Sequence, residues 1–448
     1  MNRNELYADT ARRAARYAST LDSRAVAPSP AAIAALEHFD RPLPAQSSTP
    51  QSVIEELDEF GAPATMASTG GRFFGFVTGG ALPVTVAANW LATAWDQNAA
   101  MVVTAPVNAQ LELVAARWLT ELLGLPAQSG CGFVTCATTA NFAALAAARH
   151  ALLARAGWDV EGQGLFGAPP LTVVVGEEVH SSMEKALAMV GFGRARVVRV
   201  PADAQGRMIA ERLPAVDERT IVCVQAGNVN TGAFDPVGQV CERARAQGAW
   251  VHVDGAFGLW AAAVPGLAHL VQGLGAADSW GTDAHKWLNV PYDCGLVFVR
   301  DAGSLRAAMS AGGAYLKQDE PRIPYQYTPD FSRRARGIEV WAALRQLGRA
   351  GLIDLIERCC RHARRFAEGL SAAGCKVLNE VVLNQVLVSF GTAERTHAVI
   401  RRLQEEGSCW CGSTLWQGNV AMRISVSSWA TTDADVERSI AAIVRAQA

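Results

Sequence analysis

The sequence predicts an α/β protein, with a large domain on a mostly parallel sheet flanked by helices and a small α+β domain at the C-terminal end. Three observations predict it. Short apolar runs at 171–175, 197–200, 220–224 and 250–253 alternate with helix-like segments, the pattern of strands joined by crossover helices. A further run at 294–299, rich in Val, Leu and Phe, reads as a buried strand. From 337 onward the alternation gives way to long helices around single strands at 386–390 and 420–426, with a last helix from 433 to the end.

Composition narrows the function classes. The chain has 448 residues, 50% hydrophobic and 18% charged, which is globular rather than disordered. A net charge of −2 and a pI near 6.5 give no electrostatic case for nucleic acid or an anionic membrane. No apolar run reaches eighteen residues, and the charged N-terminus (MNRNELYADTARRAARYA) is unlike a signal peptide. Ten cysteines lie scattered without CxxC or Cys/His ligand spacing, so no metal site is expected, and reduced thiols in a cytoplasmic protein are.

Helical periodicity covers 4–21 and 50–60, separated by a Pro/Ser-rich connector at 28–50. Helices tied on in this way are expected to pack on a partner subunit, so 1–65 is set apart as an N-terminal segment. The stretch 70–77, GGRFFGFV, places Phe73, Phe74 and Phe76 beside glycines, as core aromatics or as a pocket wall. Helices follow at 87–95, ending in Trp95, and at 109–123, which stops at Gly124-Leu125-Pro126. Small and hydroxylated residues at 132–141 then run into an alanine-rich helix. Taken alone an N-cap explains them, although free N–H groups and the helix dipole there also suit a phosphate. His180 falls where a strand gives way to a helix, a place for a structural hydrogen bond or for a ring stacked on a cofactor.

The most informative pair is Asp254 and Lys286. Asp254 ends one apolar strand, and Lys286, in SWGTDAHKWLNVPYDCGLVFVR, precedes another. Pyridoxal phosphate (PLP) requires that combination: a lysine that holds its aldehyde as a Schiff base, and an acid that pairs with the pyridinium nitrogen. Ligands of such sheets sit at the carboxyl ends of strands, and His180, Asn228 and Asp254 all fall at predicted carboxyl ends. After Lys286 a helix is expected over 301–314, then a proline-interrupted loop at 315–330, then an arginine cluster (Arg333, Arg334, Arg336) opening a helix through 347. The arginines read as a solvated face or as partners of a phosphate or carboxylate.

These motifs, in this order, resemble the PLP-dependent group II amino-acid decarboxylases, the family of aromatic-L-amino-acid and glutamate decarboxylases, over roughly 60–428. The resemblance implies PLP fold type I (aspartate-aminotransferase-like), with a seven-stranded sheet in a large domain at 66–315, a mobile loop and linker at 316–336, and a small domain at 337–448. HVDGAFG (252–258) implies that Asp254 pairs with the pyridine nitrogen and Ala256 packs under the ring. DAHKW (283–287) implies Lys286 as the Schiff-base lysine, with His285 and Asp283 beside it. VHSSMEKA (179–186) implies that His180 stacks on the ring. TCATTAN (135–141) implies phosphate contacts from Ala137 and Thr138, and AGNVNTGAFDP (226–236) a cofactor contact from Asn228. AYLK (314–317) implies Tyr315 as the acid that protonates the substrate carbon, with Tyr325 and Tyr327 as weaker stand-ins. Asp283 departs from a position that often bears an amide, and the loop after Tyr315 is shorter.

The implied activity is decarboxylation of an L-amino acid to an amine and CO2 by a homodimer with interface active sites. The alternative is another PLP reaction on the same scaffold: an aldehyde synthase, a carbon–carbon lyase or an aminotransferase. Phe74, Phe76 and Trp95 favour an aromatic or bulky apolar substrate, whereas Arg336 or Arg333 would serve an acidic one.

Overall fold

In the computed structural model, which describes residues 2–310 and 322–447, the larger sheet has seven strands. They are β1 (Gly130–Val134), β2 (Thr172–Gly176), β3 (Val198–Val200), β4 (Thr220–Gln225), β5 (Trp250–Asp254), β6 (Ser279–Asp283) and β7 (Gly295–Val299), in the order β1-β7-β6-β5-β4-β2-β3. The pairs from β3 through β6 are parallel, and β7 runs antiparallel to both β6 and β1. Chain length explains the reversal. Only eleven residues, 284–294, join β6 to β7, whereas a parallel return needs a dozen or more.

Five strands fall where apolar runs predict them. The other two, β1 and β6, read GCGFV and SWGTD and carry no such run. Both are fully buried, so polar Ser279, Thr282 and Asp283 find partners inside the sheet's surroundings rather than in water. The Ala137–Arg155 helix covers one face. Its Ala143, Ala144, Ala147 and Ala148 let the backbone approach Val173, Val175 and Ile221, while Leu145 and Leu152 fill the remaining space. Each leucine so buried contributes about 1.5–3 kcal/mol.

The expected helix at 301–314 is observed as Ala302–Met309, capped by the Asp301 carboxylate on the Gly303 and Ser304 N–H groups. Tyr315 and most of the expected loop's first half lie outside the described residues. The arginine-led helix begins at Gly337 and runs to Ala372, broken at Gly348, where φ is 57°.

The chain forms two compact units, one of Gly79–Ala363 with Asn379–Gln385, which holds the large sheet, and one of Met1–Thr78, Arg364–Leu378 and Val386–Ala448. The latter contains a four-stranded sheet in the order β10 (Gly412–Trp416), β11 (Asn419–Ser425), β9 (Gln385–Ser389), β8 (Lys376–Val377). Helix Ala393–Glu406 packs on it, and helix Asp433–Gln447 packs on that helix. Within this unit Phe73 stacks on Trp410 with centroids 5.1 Å apart, and Phe74 meets Phe366 edge-on at 5.0 Å.

The arginine cluster is spent on structure. Arg333 makes a bidentate pair with Glu112, Nη1–Oε1 at 2.7 Å and Nη2–Oε2 at 2.9 Å, both side chains buried. Asn108 Nδ2 also donates to Glu112 Oε1 at 3.0 Å. Removing one partner strands the other charge without water, so Arg333→Met is expected to cost about 3–5 kcal/mol in urea unfolding, and Arg333→Met with Glu112→Leu to recover most of it.

Candidate active site

Four parallel strands deliver their last residues to one edge. His180 lies four residues beyond β2, Gln225 ends β4, Asp254 ends β5, Asp283 ends β6, and Lys286 follows three residues later. His180, Gln225, Gly227, Val229, Asp254, Ala256, Phe257 and Lys286 line one cavity there. The sequence-predicted Lys286, Asp254, His180 and Ala256 are thus brought together, and Gln225, Gly227, Val229 and Phe257 join them without having been singled out.

Lys286 Nζ lies 3.0 Å from Asp283 Oδ2. Burial acts to lower the ammonium's pKa, but the Asp283 carboxylate and then Asp254 outweigh it, and the net shift is upward. The lysine loop sits hard against Gly79: a Cβ there would meet the Lys286 carbonyl oxygen at 1.8 Å, so only glycine fits. His285 accepts the Cys294 N–H through Nδ1 at 3.1 Å and packs on Tyr292, ring centroids 4.3 Å apart. Burial lowers the pKa of His285 against the pull of Asp283.

Asp254 is 5% exposed. Burial raises its pKa, opposed by His180 and Lys286 and by two donors, Asn141 Nδ2 to Oδ2 at 3.0 Å and the Ala256 N–H to Oδ1 at 3.2 Å. A carboxylate so buried is stabilised by any further cation placed beside it. Sequence reasoning singles out neither Asn141 nor His252, which contacts Asn141. Their signal was present in TCATTAN and HVDGAFG, but a polar residue inside an apolar strand or helix shows its partner only in three dimensions.

His180 caps the Ser181–Met189 helix. Its Nδ1 accepts the Ser182 N–H at 3.2 Å and lies 2.7 Å from Ser182 Oγ, which fixes the ring at the cavity wall. At the start of the Ala137–Arg155 helix the N-cap Cys136 makes no capping bond; instead the Ala137 N–H donates to Asp283 Oδ1 at 2.5 Å. A carboxylate there shows that this helix start attracts an anion. Asn228 lies in the turn beside the cavity. Its carboxamide oxygen accepts the N–H groups of Asn230 and Thr231 in its own turn, while Gly227 and Val229 on either side face the cavity.

The four residues read as substrate contacts sit as follows. Phe74 is core within its unit, and Phe76 is exposed and stacked on Trp410 at 5.7 Å. Trp95 ends the Pro83–Trp95 helix, half exposed. Arg336 is committed to Asp293, Nε donating to the carboxylate at 3.0 Å and to the carbonyl at 3.1 Å. No group of three or more His, Cys, Asp or Glu suited to a metal is found among the described residues.

The conserved domain of pyridoxal-dependent decarboxylases matches residues 34–391. The chain belongs to the pyridoxal-dependent decarboxylase family. It is 28% identical over 429 residues to tryptophan decarboxylase 1 of Oryza sativa subsp. japonica, covering 87% of this chain and 82% of that one. It is 28% identical over 287 residues to phenylacetaldehyde synthase of Petunia hybrida, 59% of this chain and 55% of that one. The crystal structure of Oryza sativa TDC with PLP and tryptamine superposes with a TM-score of 0.90 over 100% of this chain and 98% of that one, at 23% identity, and so shares the fold. The protein is a PLP-dependent carboxy-lyase of fold type I. The site fits that cofactor: one cavity holds a partly exposed amine, a buried carboxylate suited to a cationic ring nitrogen, and a flat histidine, close to a helix start that already draws an anion.

Two outcomes are expected. Gly79→Ala displaces the lysine loop and lowers PLP affinity at least tenfold in a spectroscopic titration. His252, wholly buried, has its pKa lowered by burial from 6.5 to about 3. On acidification the unfolded ring binds a proton first, so this contribution to stability is complete above pH 6.5 and falls by roughly 5 kcal/mol on the way to pH 3. Urea midpoints across that window, compared with His252→Gln, measure it.

Proposed function

We propose that this decarboxylase acts on an aromatic L-amino acid, releasing CO2 and the corresponding amine, as a cytoplasmic homodimer. The observation that carries the reading is the meeting of Lys286, Asp254 and His180 in one buried cavity at the carboxyl edge of the sheet. When bound, PLP supplies the electron sink that stabilises the carbon from which CO2 departs.

The residues divide the remaining work. Lys286 would offer its amine as the cofactor's anchor. Asp254 would pair with the protonated pyridine nitrogen, His180 would lie against the ring face, and the small Ala256 would leave room for the ring. Ala137 and Thr138 at the helix start would hold the phosphate, with Asp283 and His285 ordering the lysine loop and Asn228 shaping the turn that presents Gly227 and Val229. Shielding from water favours loss of the carboxylate, since an ionised group is poorly stabilised there. Tyr315 delivers the proton that completes the amine.

An aromatic substrate is supported by what the arginines do. Arg333 is paired with Glu112 and Arg336 with Asp293, so the cations that would greet an acidic side chain already hold carboxylates. The tryptophan decarboxylase and phenylacetaldehyde synthase similarities agree with this choice. A homodimer is supported by exposed apolar surface. Trp90, Leu91 and Trp95 project from the Pro83–Trp95 helix, and the Arg3–Ser19 helix buries none of its residues. A partner subunit is the cover that fits both. For the cytoplasm, the ten thiols form no disulfide among the described residues, and no helix described is long and apolar enough to cross a membrane.

A panel of amino acids with added PLP, scored for CO2 and amine, tests the reading. Trp, Tyr, Phe or DOPA is expected to give both and glutamate neither; CO2 from glutamate alone would reverse the substrate class. Lys286→Ala is expected to abolish turnover and the visible absorption of the bound cofactor. Tyr315→Phe is expected to move product from amine toward aldehyde and ammonia with uptake of dioxygen, and an unchanged amine yield would remove Tyr315 from the mechanism.

A further inference from the structure

Asp254 is the last link in a buried chain of hydrogen bonds whose direction is fixed link by link. Asn141 donates Nδ2–H to Asp254 Oδ2 at 3.0 Å, so its Oδ1 faces the other way, where His252 Nε2 lies at 3.0 Å. An amide oxygen only accepts, so Nε2 carries the imidazole's proton. Burial keeps that ring neutral, which leaves Nδ1 as an acceptor for the Ser279 hydroxyl at 2.9 Å. Ser279 Oγ in turn accepts the indole N–H of Trp250 at 2.9 Å. Ser279, His252 and Asn141 are each 0% exposed, so no water competes for these bonds.

We propose that Trp250, Ser279, His252 and Asn141 form a positioning relay that keeps Asp254 ionised and aimed at the pyridine nitrogen of the cofactor. This deepens the function proposed above and rests on it. Every link points its donor toward Asp254, so each bond polarises the next in the same sense. The terminal donor is an amide, which does not titrate, so the relay stabilises the carboxylate without being able to protonate it. Asn141 Nδ2 and the Ala256 N–H occupy one side of each oxygen, leaving further lone pairs for the ring N–H. The relay also has a reserved space: a Cβ at Gly281 would meet Asn141 Oδ1 at 2.6 Å. Neither Asn141 nor His252 lines the cavity, so both act through Asp254 rather than on the substrate.

The test reads the ring nitrogen directly, using holoenzyme reconstituted with 15N-labelled PLP. Wild type is expected to show a protonated pyridinium resonance. Asn141→Leu, close in volume but without the donor, is expected to move it toward neutral pyridine and to raise the PLP dissociation constant about tenfold to a hundredfold, the range for a lost bond to a charged group. Gly281→Ala keeps every relay side chain yet crowds Asn141, and Ser279→Ala removes only the distal donor; both are expected to shift the resonance the same way, Ser279→Ala less. A wild-type resonance and an affinity within twofold for Asn141→Leu overturns the relay. If Asn141→Leu does not fold, the same result for both Gly281→Ala and Ser279→Ala overturns it. Wild-type protein that binds no PLP overturns the proposed function instead.

Discussion

A carboxylate held away from water at the end of the central strand is the constraint on which this site depends. Asp254 is 5% exposed, and burial pushes its pKa up. Two donors, a histidine ring and an ammonium converge on it from separate elements: Asn141 from the helix after β1, Ala256 from its own turn, His180 from beyond β2 and Lys286 from beyond β6. Parallel strands end together at one edge, which is how residues more than a hundred positions apart reach a single carboxylate.

The one antiparallel strand serves the same end. A helical crossover after β6 would carry the chain to the far edge of the sheet. The short return into β7 keeps Lys286 at the carboxyl edge, where Asp283 at 3.0 Å offsets the burial of its ammonium. Gly79 lets a neighbouring backbone close over that turn without a side chain between them. The lysine is therefore placed by backbone path first and electrostatics second.

Charge elsewhere in the large unit is used for architecture. Arg333 with Glu112, Arg334 with Glu339 and Arg336 with Asp293 each neutralise an acid. The buried Arg333–Glu112 pair adds little net stability but makes the loss of either partner costly. They also leave the cavity with few charges beyond the lysine and the carboxylate it needs, a setting in which an aromatic side chain is accommodated more readily than an acidic one.

The sequence by itself determined the fold class and singled out Lys286 and Asp254, which line one cavity. Apolar runs separated by helical periodicity specify strands buried on both faces, and a lysine and an aspartate at the ends of two such runs have few other reasons to be there. Tertiary structure decided the rest. β1 and β6 carry glycine and polar residues that form strands only because neighbours supply their hydrogen bonds. Asn228 reads as a cofactor contact, and in the structure its carboxamide oxygen closes its own turn beside the cavity-lining Gly227 and Val229. The arginines read as solvated or as ligand-binding because their acids, Glu112 and Asp293, lie far away in sequence. Asn141 and His252 are ordinary helix and strand residues until the sheet and the Ala137–Arg155 helix pack. Periodicity and composition report burial, which is a local tendency. Which donor meets which acceptor is set by the path of the backbone between them, and no local signal carries that.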